Sequence, residues 1–366
     1  MMPHTQEMTS TNNRLGLEGE YIESDLPLLI RRAGMAEWDD GVVRILDRRE
    51  LPLAERYLEC RTVEAVATAI EDMAIQGAFS LSIAAGYGLA LAATNDDPAA
   101  IETGAARLLR TRPTGLALQR MLDACLDRAS SAIQAGDGAR DAIVETVDRA
   151  AAILARQGWR TGQRAAELLE DGMTILTHCF PDRSYAYLLM EAAKSGKNLN
   201  VVCSETRPYL QGARLTSLCA TQAGFDAKVI TDGMGGFLMR RGDIDAFITA
   251  ADRVCMDGTV CNKIGTYQYA LAASANDVPY YTLRQSGPDR ESADESDIEV
   301  EFRAGDALLY IGGERTAPQG VKGLYPGFDI TPPELVTAIV TDRGVFEAAK
   351  IRTYVDATPF VTGEIL

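Results

Sequence analysis

The chain is poor in histidine, in paired cysteines and in basic charge. Its two histidines, His4 and His178, stand among 366 residues, too few for a Cys/His zinc site, and no metal is expected. Seven cysteines (60, 125, 179, 203, 219, 255 and 261) occur without a single CxxC pair. An odd, scattered set of this kind implies reduced thiols in a cytoplasmic protein, most of them small core residues. Lys and Arg number 36 against 52 Asp and Glu, for a net charge of −16. That balance excludes a nucleic-acid partner, which needs a basic surface, but leaves room for a small phosphorylated ligand held by a local cluster of donors. No Walker A run and no GxGxxG is present, and Gly233-Met234-Gly235-Gly236 is too irregular for a dinucleotide fingerprint, so no cofactor is expected. Long hydrophobic runs are missing as well. The most apolar stretch, residues 77–93, is short and broken by Gly and Ser, and the first 20 residues lack the apolar core of a signal peptide. No membrane partner is expected.

What is present is an ordinary globular composition, 46% apolar and 24% charged, in a chain long enough for two domains. Residues 1–37 show no periodicity and read as a loosely attached extension. Asp39-Asp40-Gly41 then turns into the alternating run 42–47, a small hairpin. Helical patterns follow over 63–75, capped near Thr62, over 78–93, from Asp97-Pro98 to Leu109, and over 114–135. Residues 141–170 are again helical, with an interruption near Gly158. From residue 172 onward short apolar strands alternate with helices. The shift implies an α/β fold: a hairpin plus helical domain over 38–150, then a Rossmann-like domain with a mostly parallel sheet over 151–366. Within the second domain, 289–299 (DRESADESDIE) reads as a solvated loop, and 299–302 and 307–311 as late strands. Residues 325–332 read as a turn-rich segment leading into a helix over 333–339.

In the stretch 172–272, apolar strands stop on reactive or hydrogen-bonding residues: Cys179, Glu205-Thr206-Arg207 and Asp252-Arg253. Ligands of open parallel sheets bind beyond such strand ends. Cys179 is either a reactive thiol or a buried structural one. Asp252 is either a partly desolvated acid that holds a proton near neutral pH, or a helix cap paired with Arg253. His178 reads as a satisfied core histidine. Asn262-Lys263 and Gln211-Gly212 offer a cation, amide donors and a close backbone approach, which suits an anion such as phosphate. Arg112 is a further candidate for that anion.

The segments THC (177–179), ETRPYLQGARLT (205–216), AADRV (250–254), NKIGTYQYALAA (262–273) and YPGFDITPPELVTAIVTDRG (325–344) resemble the methylthioribose-1-phosphate isomerases. That family belongs with the ribose-1,5-bisphosphate isomerases and the α, β and δ regulatory subunits of translation initiation factor 2B. The resemblance runs from about Gly41 to Gly344. It implies a homodimeric aldose–ketose isomerase of a pentose 1-phosphate, with Cys179 and Asp252 as the catalytic pair. It also implies that Arg112, Gln211, Asn262, Lys263 and the triplet Gln76-Gly77-Ala78 bind substrate. A non-catalytic regulatory relative that binds a nucleotide or sugar phosphate is the rival expectation. The sequence departs from the family at three places. Gln76 stands where Arg is usual, Phe180-Pro181-Asp182-Arg183 replaces a small polar run, and Gly233 replaces Ser. Arg183 is accordingly expected to supply the missing positive charge.

Overall fold

The computed structural model describes residues 20–113 and 115–358. The chain divides into two compact units. One comprises residues up to Glu50 plus Glu55–Arg156, and the other comprises Leu51–Ala54 and residues from Gln157 onward.

The first unit opens with an antiparallel sheet of β1 (Ala36–Asp39), β2 (Val42–Leu46) and β3 (Tyr57–Cys60). The turn from β1 to β2 carries positive φ at Asp40 and Gly41, as the Asp-Gly signal requires. Residues 1–19 of the expected extension lie outside the described residues. The rest is not a loose tail: Leu26, Leu28, Leu29 and Ile30 are buried, and β1 begins at Ala36. Four helices follow: α1 (Val63–Glu71), α2 (Ala78–Ala90), α3 (Pro98–Leu109) and α4 (Leu116–Ala135). Their starts are chemical. Thr62 Oγ1 accepts from the Ala65 amide, and Asp97 accepts from Ala99 with Pro98 in the first turn. α2 is buried almost all round, and its small residues are the reason it can be. A Cβ at Gly86 would press into Val147 and Met121, and one at Gly88 into Val66.

The unit boundary falls inside α5 (Ala139–Glu167). This helix runs unbroken through Gly158, where an interruption was expected. The glycine serves packing: a Cβ there would lie 2.6 Å from Cγ of Arg183.

The second unit is built on a sheet of seven strands: β4 (Thr174–Thr177), β5 (Asn200–Ser204), β6 (Asp226–Ile230), β7 (Ala246–Ala250), β10 (Tyr280–Leu283), β16 (Ala338–Val340) and β17 (Val345–Phe346). Helices α6 (Asp182–Lys194), α7 (Ser217–Gln222), α8 (Gly235–Arg241) and α9 (Thr266–Ser274) lie in the connections. The strand order is β17-β16-β10-β7-β4-β5-β6. All pairs are parallel except β16 with β17. Apart from the edge strand β17, this is the order of doubly wound dinucleotide folds, and its direction reverses between β4 and β7. Both faces are covered. Ile175 packs with Leu188, Leu189 and Ile248 on one side, and Leu176 with Phe247, Tyr269 and Ile339 on the other. The near-continuous apolar runs of β4 and β7 follow from that.

Shorter strands complete the unit. β8 (Arg253–Val254), β9 (Val260–Lys263) and β15 (Phe328–Thr331) form an antiparallel sheet. β11 (Phe302–Arg303) pairs with β14 (Tyr325–Pro326), and β12 (Tyr310–Ile311) with β13 (Glu314–Arg315). Two expectations are corrected here. Residues 325–326 and 328–331 are strands flanking a bend at Gly327, because β11 pairs with the first and β9 with the second. Residues 333–339 hold one 3-10 turn and then β16. The insert 289–299 is not wholly solvated either, since Asp289 and Ser292 are buried.

Candidate active site

Cys179 lies two residues past the end of β4, and Asp252 two residues past the end of the adjacent parallel strand β7. The two therefore stand beyond the carboxyl ends of the strands that flank the reversal of strand order, where open α/β sheets place their ligands.

The backbone holds Cys179 in the left-handed region at φ 64°, an uncommon state for a residue with a Cβ. Hydrogen bonds from both sides fix it. Its amide donates to Thr206 Oγ1 at 2.9 Å, and its carbonyl accepts from Thr216 Oγ1. Thr206 is in turn pinned by Asp232, whose two carboxylate oxygens accept from the amides of Thr206 and Arg207, each at 2.8 Å. Gln211 leads into a π-helical turn over Gly212–Thr216. That turn lies against the end of β5 so closely that a Cβ on Gly212 would sit 1.7 Å from the Ser204 carbonyl oxygen. Only glycine fits. Such π-turns are frequent at functional sites. The Gln211 side chain is buried, and its Oε1 has no hydrogen-bond partner among the described residues, an unmet capacity that suits a ligand hydroxyl or phosphate.

His178 is fully buried. Its Nε2 faces the Ile264 carbonyl at 2.8 Å and its Nδ1 faces Ser204 Oγ. A carbonyl only accepts, so Nε2 carries the hydrogen and Nδ1 accepts from the serine hydroxyl. Burial lowers the pKa of His178, which keeps it neutral. It ties the end of β5 to the loop after β9, and is the satisfied core histidine expected.

Asn262 and Lys263 end β9. Asn262 Nδ2 donates to Thr266 Oγ1 at 3.0 Å, and that hydroxyl donates to the Lys263 carbonyl at 2.7 Å. Lys263 Nζ donates to the Gly327 carbonyl at 2.9 Å and lies 4.5 Å from the centre of the Phe328 ring. From β15, Asp329 accepts from the amides of Gly265 and Tyr267, holding the loop that carries both residues.

The electrostatics follow from burial. Asp252 is accessible to solvent yet deeply surrounded by protein, the situation of a group on a cleft wall. Desolvation raises its pKa against the opposing pull of Lys263, Arg303 and Arg284. Desolvation also pushes the half-buried Cys179 thiol up to about 11, again opposed by Lys263 and Arg303. Lys263 is lowered by its burial. The site thus holds a thiol with a high pKa and a carboxyl group with a raised one, beside the cations Lys263 and Arg303.

Of the other expected residues, Gln76, Gly77, Ala78 and Arg112 belong to the first unit. Gly77, at φ 91°, precedes the first residue of α2, Ala78. Gln76 Nε2 donates to the Met73 carbonyl, and the Arg112 guanidinium reaches Met73 Sδ and the Ile70 carbonyl, so the two meet around one turn. Arg183 belongs to the second unit and is 1% exposed, with its stem against α5 at Gly158. The cations that act on the Cys179 thiol are Lys263 and Arg303. Sequence reasoning named Thr206 only as a hydrogen-bonding residue at a strand end, and missed the roles of Asp232 and Arg303. Thr206 and Asp232 sit in segments already singled out, whereas nothing local marks Arg303.

Comparison with known proteins finds relatives along most of the chain. The family model described as the Initiation factor 2 subunit family matches residues 74–348. A methylthioribose-1-phosphate isomerase of Thermotoga neapolitana is 39% identical over 333 residues, covering 85% of this chain and 94% of its own. One from Anaeromyxobacter dehalogenans is 39% identical over 326 residues, covering 85% and 93%. Among solved structures, the 5-methylthioribose 1-phosphate isomerase of Pyrococcus horikoshii superposes with a TM-score of 0.76 at 31% identity, covering 87% of this chain and 94% of its own. The translation initiation factor eIF-2B subunit delta of A. fulgidus gives 0.71 at 35% identity, covering 85% and 95%.

Proposed function

We propose, from the premise that this chain belongs to the Initiation factor 2 subunit family, that it is an aldose–ketose isomerase acting on a pentose 1-phosphate. The observation that carries the reading is the pair Asp252 and Cys179, both with raised pKa values, at the ends of adjacent parallel strands. Methylthioribose 1-phosphate, the substrate in its relatives' names, is the first candidate, which would place the reaction in methionine salvage. Ribose 1,5-bisphosphate and 5-deoxyribose 1-phosphate differ from it at C5 and share the chemistry.

In an aldose 1-phosphate the anomeric oxygen carries the phosphate, so the ring does not open unaided. An acid must protonate the ring oxygen as the bond from C1 to that oxygen breaks, and one hydrogen must pass from C2 to C1. Asp252 is the acid, because desolvation raises its pKa and so favours its protonated form. Cys179 borders the reacting carbons. If the hydrogen leaves C2 as a proton, the thiol must first lose its own; if it crosses as a hydride, the thiol stays neutral against an apolar path. A thiol held near 11 fits the second route without further change. Gln211, Asn262 and Lys263 bind the hydroxyls and phosphate. The proposal keeps Gln76, Gly77, Ala78 and Arg112 as substrate-binding residues, to be read in KM.

The protein acts in the cytoplasm as a homodimer in this reading. No described helix is long and apolar enough to cross a membrane. Phe237, Tyr267 and Leu271 are exposed apolar residues on α8 and α9, a face that a second copy would cover.

The test is proton NMR of the protein with pentose 1-phosphates that differ at C5, alongside Cys179→Ala and Asp252→Asn. Conversion of one aldose to its ketose 1-phosphate, lost in both variants, is expected. Tight binding of a nucleotide or sugar phosphate with no turnover of any member would replace this reading with a regulatory one.

A further inference from the structure

The crevice gathers two cationic side chains around one aromatic ring. Lys263 Nζ and the Arg303 guanidinium carbon lie 4.5 and 5.3 Å from the centre of the same Phe328 ring. Gly327 brings them together: its carbonyl accepts from Lys263, and a Cβ at that position would lie 3.1 Å from Arg303 Nε. The carboxylate paired with Arg303 is Glu301. It accepts from Arg303 Nε at 3.1 Å and Nη2 at 3.2 Å and so fixes the plane of the guanidinium. Desolvation raises the pKa of Asp252, so it offsets that positive charge less than an ordinary carboxylate would. Holding like charges together in a poorly hydrated place is costly unless an anion enters between them.

We propose that Arg303 is a second anion-binding residue of the crevice, acting with Lys263 to grip the phosphate of the substrate. That the anion is a sugar phosphate rests on the isomerase reading; that the pair binds a phosphate group does not. Arg303 is placed for this work. It leaves the first residue pair of the β11–β14 ladder, opposite Tyr325, and its charge acts on both Cys179 and Asp252. A planar guanidinium held by a carboxylate on one side presents fixed donors to a phosphate, whereas Lys263 contributes a point charge. The positive charge that Gln76 does not supply is thereby available in this unit from a residue outside the segments that drew attention in the sequence.

The test titrates inorganic phosphate against the full-length protein, reading protection of Cys179 from iodoacetamide by mass spectrometry. Wild type, Arg303→Gln, Arg303→Lys and Glu301→Gln are compared, with thermal melting of each. Arg303→Gln should weaken protection by roughly tenfold or more, and Arg303→Lys should restore part of it. Glu301→Gln removes the balancing carboxylate and should leave phosphate binding equal or tighter. With a sugar 1-phosphate that wild type turns over, Arg303→Gln should raise KM more than it lowers kcat. If Arg303 only braces β11 through Glu301, Arg303→Gln and Glu301→Gln will lose thermal stability together while phosphate affinity stays at the wild-type value. That result, or weaker phosphate binding in Glu301→Gln, overturns the inference while leaving wild-type turnover intact. Absence of turnover in wild type would sink the isomerase reading, and the phosphate titration would still decide the role of Arg303.

Discussion

Two polar clusters lie at the same edge of the seven-stranded sheet, and they are built to opposite rules. At the ends of β10 and β16, Arg284 donates to both oxygens of Asp289 at 2.9 Å, and Tyr354 donates to Asp342 at 3.0 Å, all four residues buried. Every one of them has a partner in the chain, and the cluster closes the second unit. At the ends of β4 and β7, Cys179 and Asp252 have raised pKa values, Gln211 has an unmet amide oxygen, and Lys263 and Arg303 share one aromatic ring. A buried polar group without a partner is costly, so it persists where a ligand completes it. The difference separates a structural network from a site, although both are equally rich in charge.

The comparison breaks if the two clusters respond alike to mutation. The largest expected effect is catalytic: Asp252→Asn and Cys179→Ala should each lower kcat by roughly 10²- to 10⁴-fold, while the melting temperature holds or rises slightly. Asp289→Ala should do the reverse. It strands a buried guanidinium, costing on the order of 3–5 kcal/mol in urea unfolding, while the folded fraction keeps its turnover. Next comes Thr206→Val, which leaves the Cys179 amide without its acceptor; a loss of about 1–3 kcal/mol should appear in kcat more than in KM, because the thiol and not the binding groups is displaced.

Much of this was legible in the sequence, and for stated reasons. β4 and β7 announce themselves as apolar runs because both faces of the sheet are covered, and Asp97-Pro98 marks the start of α3 by its own capping chemistry. Cys179 and Asp252 were found because each ends such a run. The segment 325–339 was not legible: its glycine and prolines suggest turns, and only β9, β10 and β11, distant in sequence, make strands of it. Arg303 was missed for the same physical reason. Its importance lies in sharing Phe328 with Lys263, forty residues away by number, and no local pattern encodes that.

pH sharpens the comparison further. For turnover, kcat/KM should fall as pH rises through the elevated pKa of Asp252, since the acid form does the work. For stability the informative group is Asp329, which burial raises to about 6 from an ordinary value near 3.9. The folded state binds this proton more tightly than the unfolded one. Its contribution is therefore fully present below pH 4 and is lost as pH rises through 6. Asp329→Asn should flatten that slope by about 1–2 kcal/mol in denaturant titrations between pH 4 and 7, the exposed part of the side chain reducing the full value.

The most direct measurement is the rate of Cys179 alkylation by iodoacetamide as a function of pH, read by mass spectrometry. The other six cysteines are buried and serve as internal controls. The account predicts slow modification at neutral pH, rising only toward an apparent pKa near 11. A rate that already reaches its plateau by pH 8 would mean that a thiolate stands in the crevice, and would contradict the claim that this thiol holds its proton.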